Sequence, residues 1–243
     1  MKNLLYTAAF ILLTTLPSFS QAPFNTPDNI GAGNCLTFDG VNDYINIPNI
    51  AAYDFGTGDF TIEAWAFLNN LTEGAIISSL DAFDDVGFSF HVRGNFISFQ
   101  FGCTSAGAPC NSNGSSAHSF AFNTNEWTHV AGVRSGNDIF LYKNGVQVAS
   151  STLSVTTQTL TSGKPIRIGR DHADIDGSAY YVDGSIDEVL IWNVARTQAQ
   201  IRDDMCRQLT GTETGLVGYW NMNEGTGDTI HDITTNNNHG LRQ

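Results

Sequence analysis

Short stretches in which apolar and polar side chains alternate recur from Cys35 to Met222, each closed by Gly, Asn or Asp. That is the pattern of half-buried strands joined by tight turns. Phe60 to Leu68 puts Phe60, Ile62, Ala64 and Ala66 on one face and Glu63, Trp65 and Phe67 on the other. Phe88 to Phe101 breaks at Gly94-Asn95 and predicts a hairpin, with Phe88, Phe90 and Val92 before the turn and Phe96, Ile97, Phe99 and Phe101 after it. Asp138 to Ala149 turns on Asn144-Gly145, the pair that a type I′ turn prefers. Cys35 to Ile47, Ala75 to Leu80, Ala121 to Val133, Ile166 to Gly169 and Leu216 to Met222 supply the remaining strands. Cys103 to His118, rich in Gly, Ser and Asn, reads as the longest loop.

One stretch organises the rest. After an Asp183-Gly184 turn, Ser185 to Asn193 is apolar on both faces, with Ile186, Leu190 and Trp192 on one and Val189 and Ile191 on the other. A strand covered on both sides lies inside a sandwich. It leads into Thr197-Gln198-Ala199-Gln200, a capping box that opens one short helix carrying Ile201 and Met205 four residues apart. Many short strands with a single helix predict an all-β, two-sheet antiparallel jelly-roll sandwich.

Met1 to Ser20 has one Lys, a mostly apolar run from Leu4 to Leu13 and Ser18-Phe19-Ser20, which together read as a secretory signal cut before Gln21. Ala22 to Asn34 then reads as a leader, and Cys35 to Gln243 as one domain. Hydrophobic residues make up 41% of the chain, enough for a core, and no later stretch is long and apolar enough to insert in a membrane. The net charge of −13 excludes nucleic-acid binding through phosphate neutralisation. Four cysteines behind an export signal imply two disulfides. Of three pairings, Cys103–Cys110 and Cys35–Cys206 are favoured, the first stapling the long loop and the second tying the first strand to the helix end. A zinc site is disfavoured, because no Cys-x-x-Cys pair or matching His spacing occurs.

LTFDGVNDYINI at Leu36 to Ile47, FTIEAWAF at Phe60 to Phe67, WTHVAGV at Trp127 to Val133, LYKNGVQVA at Leu141 to Ala149, DGSIDEVLIWNVARTQAQI at Asp183 to Ile201 and GLVGYWNMNEGTGDTIHD at Gly215 to Asp232 together resemble the laminin-G-like, concanavalin A-like jelly-roll family. The motifs arrive in the family's order and cover nearly all of Cys35 to Gly240. The resemblance implies one concave and one convex sheet, with ligands on the concave face or its rim loops. It also implies a final strand after Thr229-Ile230-His231-Asp232, for which few residues remain before Gln243.

The acidic loop between Gly169 and Gly184 offers Asp171, Asp174, Asp176 and Asp183 as hard oxygen ligands for calcium, with Gly177 at a sharp turn. It is not an EF-hand, since His172 would stand at the first ligand position and no helices flank it. The resemblance implies a second calcium position joining Asp39 to Asp187, the family's FDG and IDE motifs; the competing reading has Asp39 capping its own turn. Trp65, Trp127, Trp192 and Trp220 sit in strand motifs and read as core, and His129 as a packed residue. Loop residues Tyr180, Tyr181, His118 and Asn113 are better placed to meet a sugar. No catalytic set appears: the Glu-x-Asp-x-x-Glu strand of laminarinase-like relatives is missing, Asp187 and Glu188 are read as facing opposite ways, and there is no Gly-x-Ser-x-Gly elbow. The expected function is a secreted, non-catalytic module binding carbohydrate or glycoprotein, with a calcium-supported rim. The alternative is a structural or adhesive domain making protein contacts.

Overall fold

The computed structural model describes residues 35–243 except 49–50, 81–86, 95, 103, 106–107, 110–115, 120–121, 154–161 and 172–179. The expected signal and leader, the Cys103–Cys110 pair, Asn113, Asp174 and Asp176 lie outside the described residues. In chain order the first strands are β1 (Leu36–Asp39), β2 (Ile45–Ile47), β3 (Phe60–Leu68), β4 (Gly74–Ser78), β5 (Gly87–Arg93) and β6 (Phe96–Gly102). Then come β7 (Thr104–Ser105), β8 (Ala108–Pro109), β9 (Ser116–Ser119), β10 (Trp127–Ser135), β11 (Asp138–Lys143) and β12 (Val146–Thr152). The last are β13 (Ile166–Ile168), β14 (Asp183–Trp192), β15 (Leu216–Trp220), β16 (Thr229–Ile230) and β17 (Gly240–Arg242), with helix α1 at Gln198–Asp204.

These build the expected two-sheet antiparallel jelly roll. The first sheet runs β1-β14-β3-β10-β11-β12, with β15 extending the β1 edge along the second half of β14. The second sheet runs β16-β17-β2-β13-β4-β5-β6-β9, and β7 and β8 form a separate small ribbon. The final strand is completed by Gly240–Arg242, which pairs with both β2 and β16. Asn144 and Gly145 both take positive φ, the backbone that the type I′ turn between β11 and β12 needs.

Between the sheets lies a core of inward residues, among them Phe60, Ile62, Phe88, Phe90, Phe99, Val130, Val189 and Trp220. Gly132 on β10 is part of its fit, because a Cβ there would come within 2.4 Å of the Phe99 ring. The face assignment of β3 holds throughout: Phe60, Ile62, Ala64 and Ala66 join this core and Trp65 does not.

On β14 the alternation differs from the expectation. Asp187 stands opposite Trp65 and Leu190 opposite Glu63, so β14 carries one extra residue, Glu188, held at φ 50°. This bulge shifts the phase. Ile186 therefore points inward with Val189 and Ile191, while Leu190 and Trp192 turn outward to pack with Leu209, Leu216 and Tyr219. Asp187 and Glu188 also share the outer side rather than opposite faces, because Glu188 accepts a short hydrogen bond from the Tyr219 hydroxyl and Asp187 pairs with outward Trp65. Trp65, Trp192 and Trp220 are buried, but Trp127 is only half-buried, resting on Phe67 at 5.8 Å outside the core.

Helix α1 closes the outer face of the first sheet. Its start is the predicted capping box: Thr197 Oγ1 accepts from Gln200 N–H at 3.3 Å, and Gln200 Oε1 accepts from Thr197 N–H at 2.9 Å. Ile201 packs on Ala131, Val133 and Tyr142, and Trp65 Nε1 donates to Met205 O at 2.8 Å. Beneath it lies a chain of charges. Glu63 is fully buried, 3.4 Å from His129 Nε2 and 4.0 Å from Arg196 Nε, and Arg196 lies 3.7 Å from the Trp192 ring centroid and forms a close ion pair with Asp204. His129 is thus the packed residue expected of it.

Cys35 and Cys206 are free thiols, which corrects the expected pairing. Cys35 lines an opening beside Tyr44 and Arg242, whereas Cys206 follows the helix pinned over Trp65.

Removing one partner of a buried ion pair leaves the other uncompensated. Asp204→Ala should therefore cost about 3 kcal/mol in urea unfolding, because the more distant Glu63 is then the carboxylate left to Arg196, beside the Gln200 carbonyl. Arg207→Ala, which removes the 61% exposed outer partner of Asp204, should cost less than about 1 kcal/mol. Equal losses would contradict this division.

Candidate functional site

The second sheet's outer face is the one that the helix does not cover. On β5 the inward Phe88, Phe90 and Val92 alternate with Ser89, His91 and Arg93, which the pleat turns outward. Antiparallel register then draws a polar row across six strands: Asn46 of β2, Arg167 of β13, Ser78 of β4, Ser89 of β5, Gln100 of β6 and Ser116 of β9. A second row sets His91 opposite Ser98, and Ser98 opposite His118. Ser78, Ser89 and Ser98 are almost wholly buried although they lie outside the core, so they form a floor between larger neighbours.

Two clusters stand beside these rows. In the first, Arg170 lies between two rings, its Cζ 5.0 Å from the Tyr44 centroid and 5.2 Å from that of Tyr181. The rings are 6.3 Å apart and inclined by 51°, and Arg167 Cζ stands 5.7 Å from Tyr44. Arg170 and Tyr181 face each other across a single antiparallel bridge, which fixes the arrangement in the backbone. In the second, His91 Nε2 is 3.5 Å from Glu73 Oε1 and 3.5 Å from Asp171 Oδ2, and Arg93 reaches Glu73 at 3.6 Å. The clusters meet because Arg170 and Asp171 are adjacent, with Asp171 N–H donating to Tyr180 O at 2.9 Å. Burial lowers the His91 pKa, and the opposing pull of Asp171 and Glu73 does not outweigh it, so the ring is neutral near pH 7.

Of the expected ligand residues, Tyr181 is brought into the first cluster, Tyr180 supports Asp171 through its carbonyl, and His118 takes a register position in the second row. The residues missed are Tyr44, Glu73, His91, Arg93, Arg167 and Arg170. The alternation of β5 carries a signal for His91 and Arg93, but nothing local announces the others.

The expected calcium ligands are not gathered among the described residues, where no group of three or more His, Cys, Asp or Glu side chains forms a metal site. Asp39 is opposite Asp183, whereas Asp187 lies four residues further along β14, roughly 13 Å away at strand rise. Asp39 Oδ1 accepts from Val41, Asn42 and Asp43 N–H at 2.8, 3.0 and 3.3 Å, so it caps its own turn. Those bonds, from Asn42 and Val41 above all, hold its carboxyl below the usual range. Asp183 accepts from Asn69 at 2.7 Å and from Asn70 at 2.5 Å, and Asp171 is taken up by His91. Asp39, Asp171, Asp183 and Asp187 therefore do not make one cation cage. Asn70 is half-buried and engaged with Asp183.

Fold and motifs define a jelly-roll module of the lectin-like kind. The model of the concanavalin A-like lectin/glucanases superfamily matches residues 39–202, and the chain belongs to that superfamily. No curated protein matches it. Among solved structures it is similar to a Bacteroides ovatus ATCC 8483 protein inferred to bind carbohydrate, at 20% identity and a TM-score of 0.64 over 85% of this chain and 57% of that one. It is also similar to the binding domain of Paraclostridial Mosquitocidal Protein 1, at 14% identity and a TM-score of 0.50 over 71% of this chain and 45% of that one. The chain thus spans a little over half of the first and less than half of the second.

The depressed His91 pKa has a consequence for stability. Below the unfolded value of 6.5 the unfolded chain takes up a proton that folded His91 refuses, so stability present above pH 6.5 is lost as pH falls through the folded pKa. His91→Gln should flatten the loss of unfolding free energy between pH 7 and pH 5. An unchanged slope would show that this ring titrates freely.

Proposed function

We propose that the chain is a non-catalytic binding module that takes carbohydrate, free or on a glycoprotein, on the outer face of the second sheet. The two polar rows beside the Tyr44–Arg170–Tyr181 cluster carry this reading. A sugar offers C–H faces that rest on aromatic rings and hydroxyls that both donate and accept. The half-buried Tyr44 and Tyr181 rings suit the first, and the half-buried amides of Asn46 and Gln100 and guanidinium groups of Arg167 and Arg170, standing over the buried serines, suit the second. The inferred carbohydrate binding of the Bacteroides ovatus protein and the binding role of the toxin domain support recognition as the task, through shared fold alone.

Hydrolysis fits less well. A glycosidase presents two carboxyl groups to the sugar with room for water, whereas the Asp171 side chain is 6% exposed and Glu73 is drawn to His91 and Arg93. Export by the Met1–Ser20 segment belongs to the same proposal. So does a rim calcium drawing on Asp174 and Asp176, for which the check is a melting midpoint that rises with calcium over EDTA.

A glycan array probed with the chain from Cys35 onward should give a glycan-specific signal, weakened about tenfold by Tyr181→Ala with the melting midpoint unchanged. Absence of any glycan signal, together with concentration-dependent self-association, would favour the adhesive alternative. Release of reducing sugar would favour an enzyme.

A further inference from the structure

At the other end of the sandwich, where β3 begins and β14 ends, an open cavity of about 390 Å³ is lined by Asp54, Phe55, Asp59, Asn193 and Asn236, with Gly58 and Val217. The nine residues of β3 set it roughly 27 Å from the Leu68–Asp183 end, at strand rise. Its walls come from four segments that are distant in sequence and fixed independently. Asp59 Oδ1 accepts from Gly136 N–H at 2.6 Å, Asn193 N–H donates to Gly215 O at 2.8 Å, and Asn236 Nδ2 donates to Val217 O at 2.8 Å. Phe55 is backed by Phe60, with ring centroids 4.5 Å apart and planes 5° from parallel, so its ring is held as a rigid plate.

From this lining we infer a second carbohydrate subsite, for a single neutral hexose ring. The inference stands on the cavity's own chemistry and not on the sheet-face reading. The lining holds two carboxylates and no Lys or Arg, and the nearby cation Arg134 is buried against Asp59 and the Gly56 and Gly136 carbonyls, so the opening disfavours phosphate, sulfate and uronate. Carboxylate oxygens have several lone pairs and accept from more than one donor, and side-chain amides both donate and accept; hydroxyl groups suit both. The Phe55 plate gives the ring's C–H face its apolar partner. The volume lies at the small end of ligand pockets, which suits a single sugar ring. A calcium ion, by contrast, needs six to eight oxygens within about 2.6 Å, and the lining supplies only two carboxylates, with no group of three or more acidic, His or Cys side chains placed to hold a metal among the described residues.

The test is saturation-transfer NMR and calorimetry with methyl glucoside, galactoside and mannoside on the wild type and on Asp54→Asn, Asn193→Ala and Tyr181→Ala. One or more hexosides should bind, about tenfold more weakly in Asp54→Asn and Asn193→Ala at unchanged melting midpoint, with Tyr181→Ala unaffected. Loss in Tyr181→Ala alone would assign the hexoside to the sheet face and overturn the second subsite. No hexoside binding, or binding indifferent to Asp54 and Asn193, would overturn it while leaving the array result untouched. A calcium-induced rise in melting that Asp54→Asn abolishes, without hexoside binding, would overturn it in favour of a cation.

Discussion

Between Asp187 and Leu190 the central strand β14 carries one residue more than its partner β3, and the first sheet is arranged around that insertion. Up to Ile186 the strand feeds the core from one set of positions; beyond Glu188 it feeds it from the other, through Val189 and Ile191. The displaced Leu190 and Trp192 then have an apolar face that needs cover, which Leu209, Leu216 and Tyr219 supply. Glu188 itself occupies the left-handed region at φ 50°, where a non-glycine residue is strained, and its carboxyl is engaged by the Tyr219 hydroxyl. Burial raises the Glu188 pKa, and burial with the nearby Glu188 raises that of Tyr219, so the pair holds its shared proton tightly.

The two outer faces of the sandwich have opposite fates as a result. On the first sheet, α1 and the Trp192–Arg196 stack bury charge against charge, so Glu63, Arg196 and Asp204 are committed to holding the helix down. On the second sheet, the rows through Ser89 and His91 are floored by small polar side chains. Architecture of this kind narrows a search for recognition to one face and to the sandwich ends, and the chemistry of the side chains does the rest.

Much of this was legible in the chain. The Asn144-Gly145 turn and the Thr197–Gln200 capping box are local signals and appear where the residues predict them; most strands do too, but the stretch expected as a loop, Cys103 to His118, carries β7, β8 and the start of β9, and the strand expected from Ala121 begins at Trp127. The phase of β14 escaped although Ile186-Asp187-Glu188-Val189 sets two polar residues side by side and so breaks the alternation; a strand taken as covered on both faces hides such a break, and the bulge itself is decided by pairing with Trp65 and Glu63. The binding face escaped for a related reason. Tyr44, His91 and the Arg167–Arg170 pair belong to three separate stretches, and only the order β2-β13-β4-β5 sets them side by side. Asp39 and Asp187 err in the other direction: the family motifs join them, but the β1–β14 register separates them, and Asp39 is already saturated by its own turn.

The most direct test of the account is backbone amide mapping by NMR as a pool of neutral oligosaccharides is titrated into the labelled domain. Progressive shifts are expected along Ser89 to Arg93, Ser98 to Gln100 and Arg167 to Asp171, with the amides of Glu63, His129 and Leu190 on the covered first sheet unmoved. Shifts centred on β14, α1 and β10, or none anywhere while the protein remains folded, would contradict it.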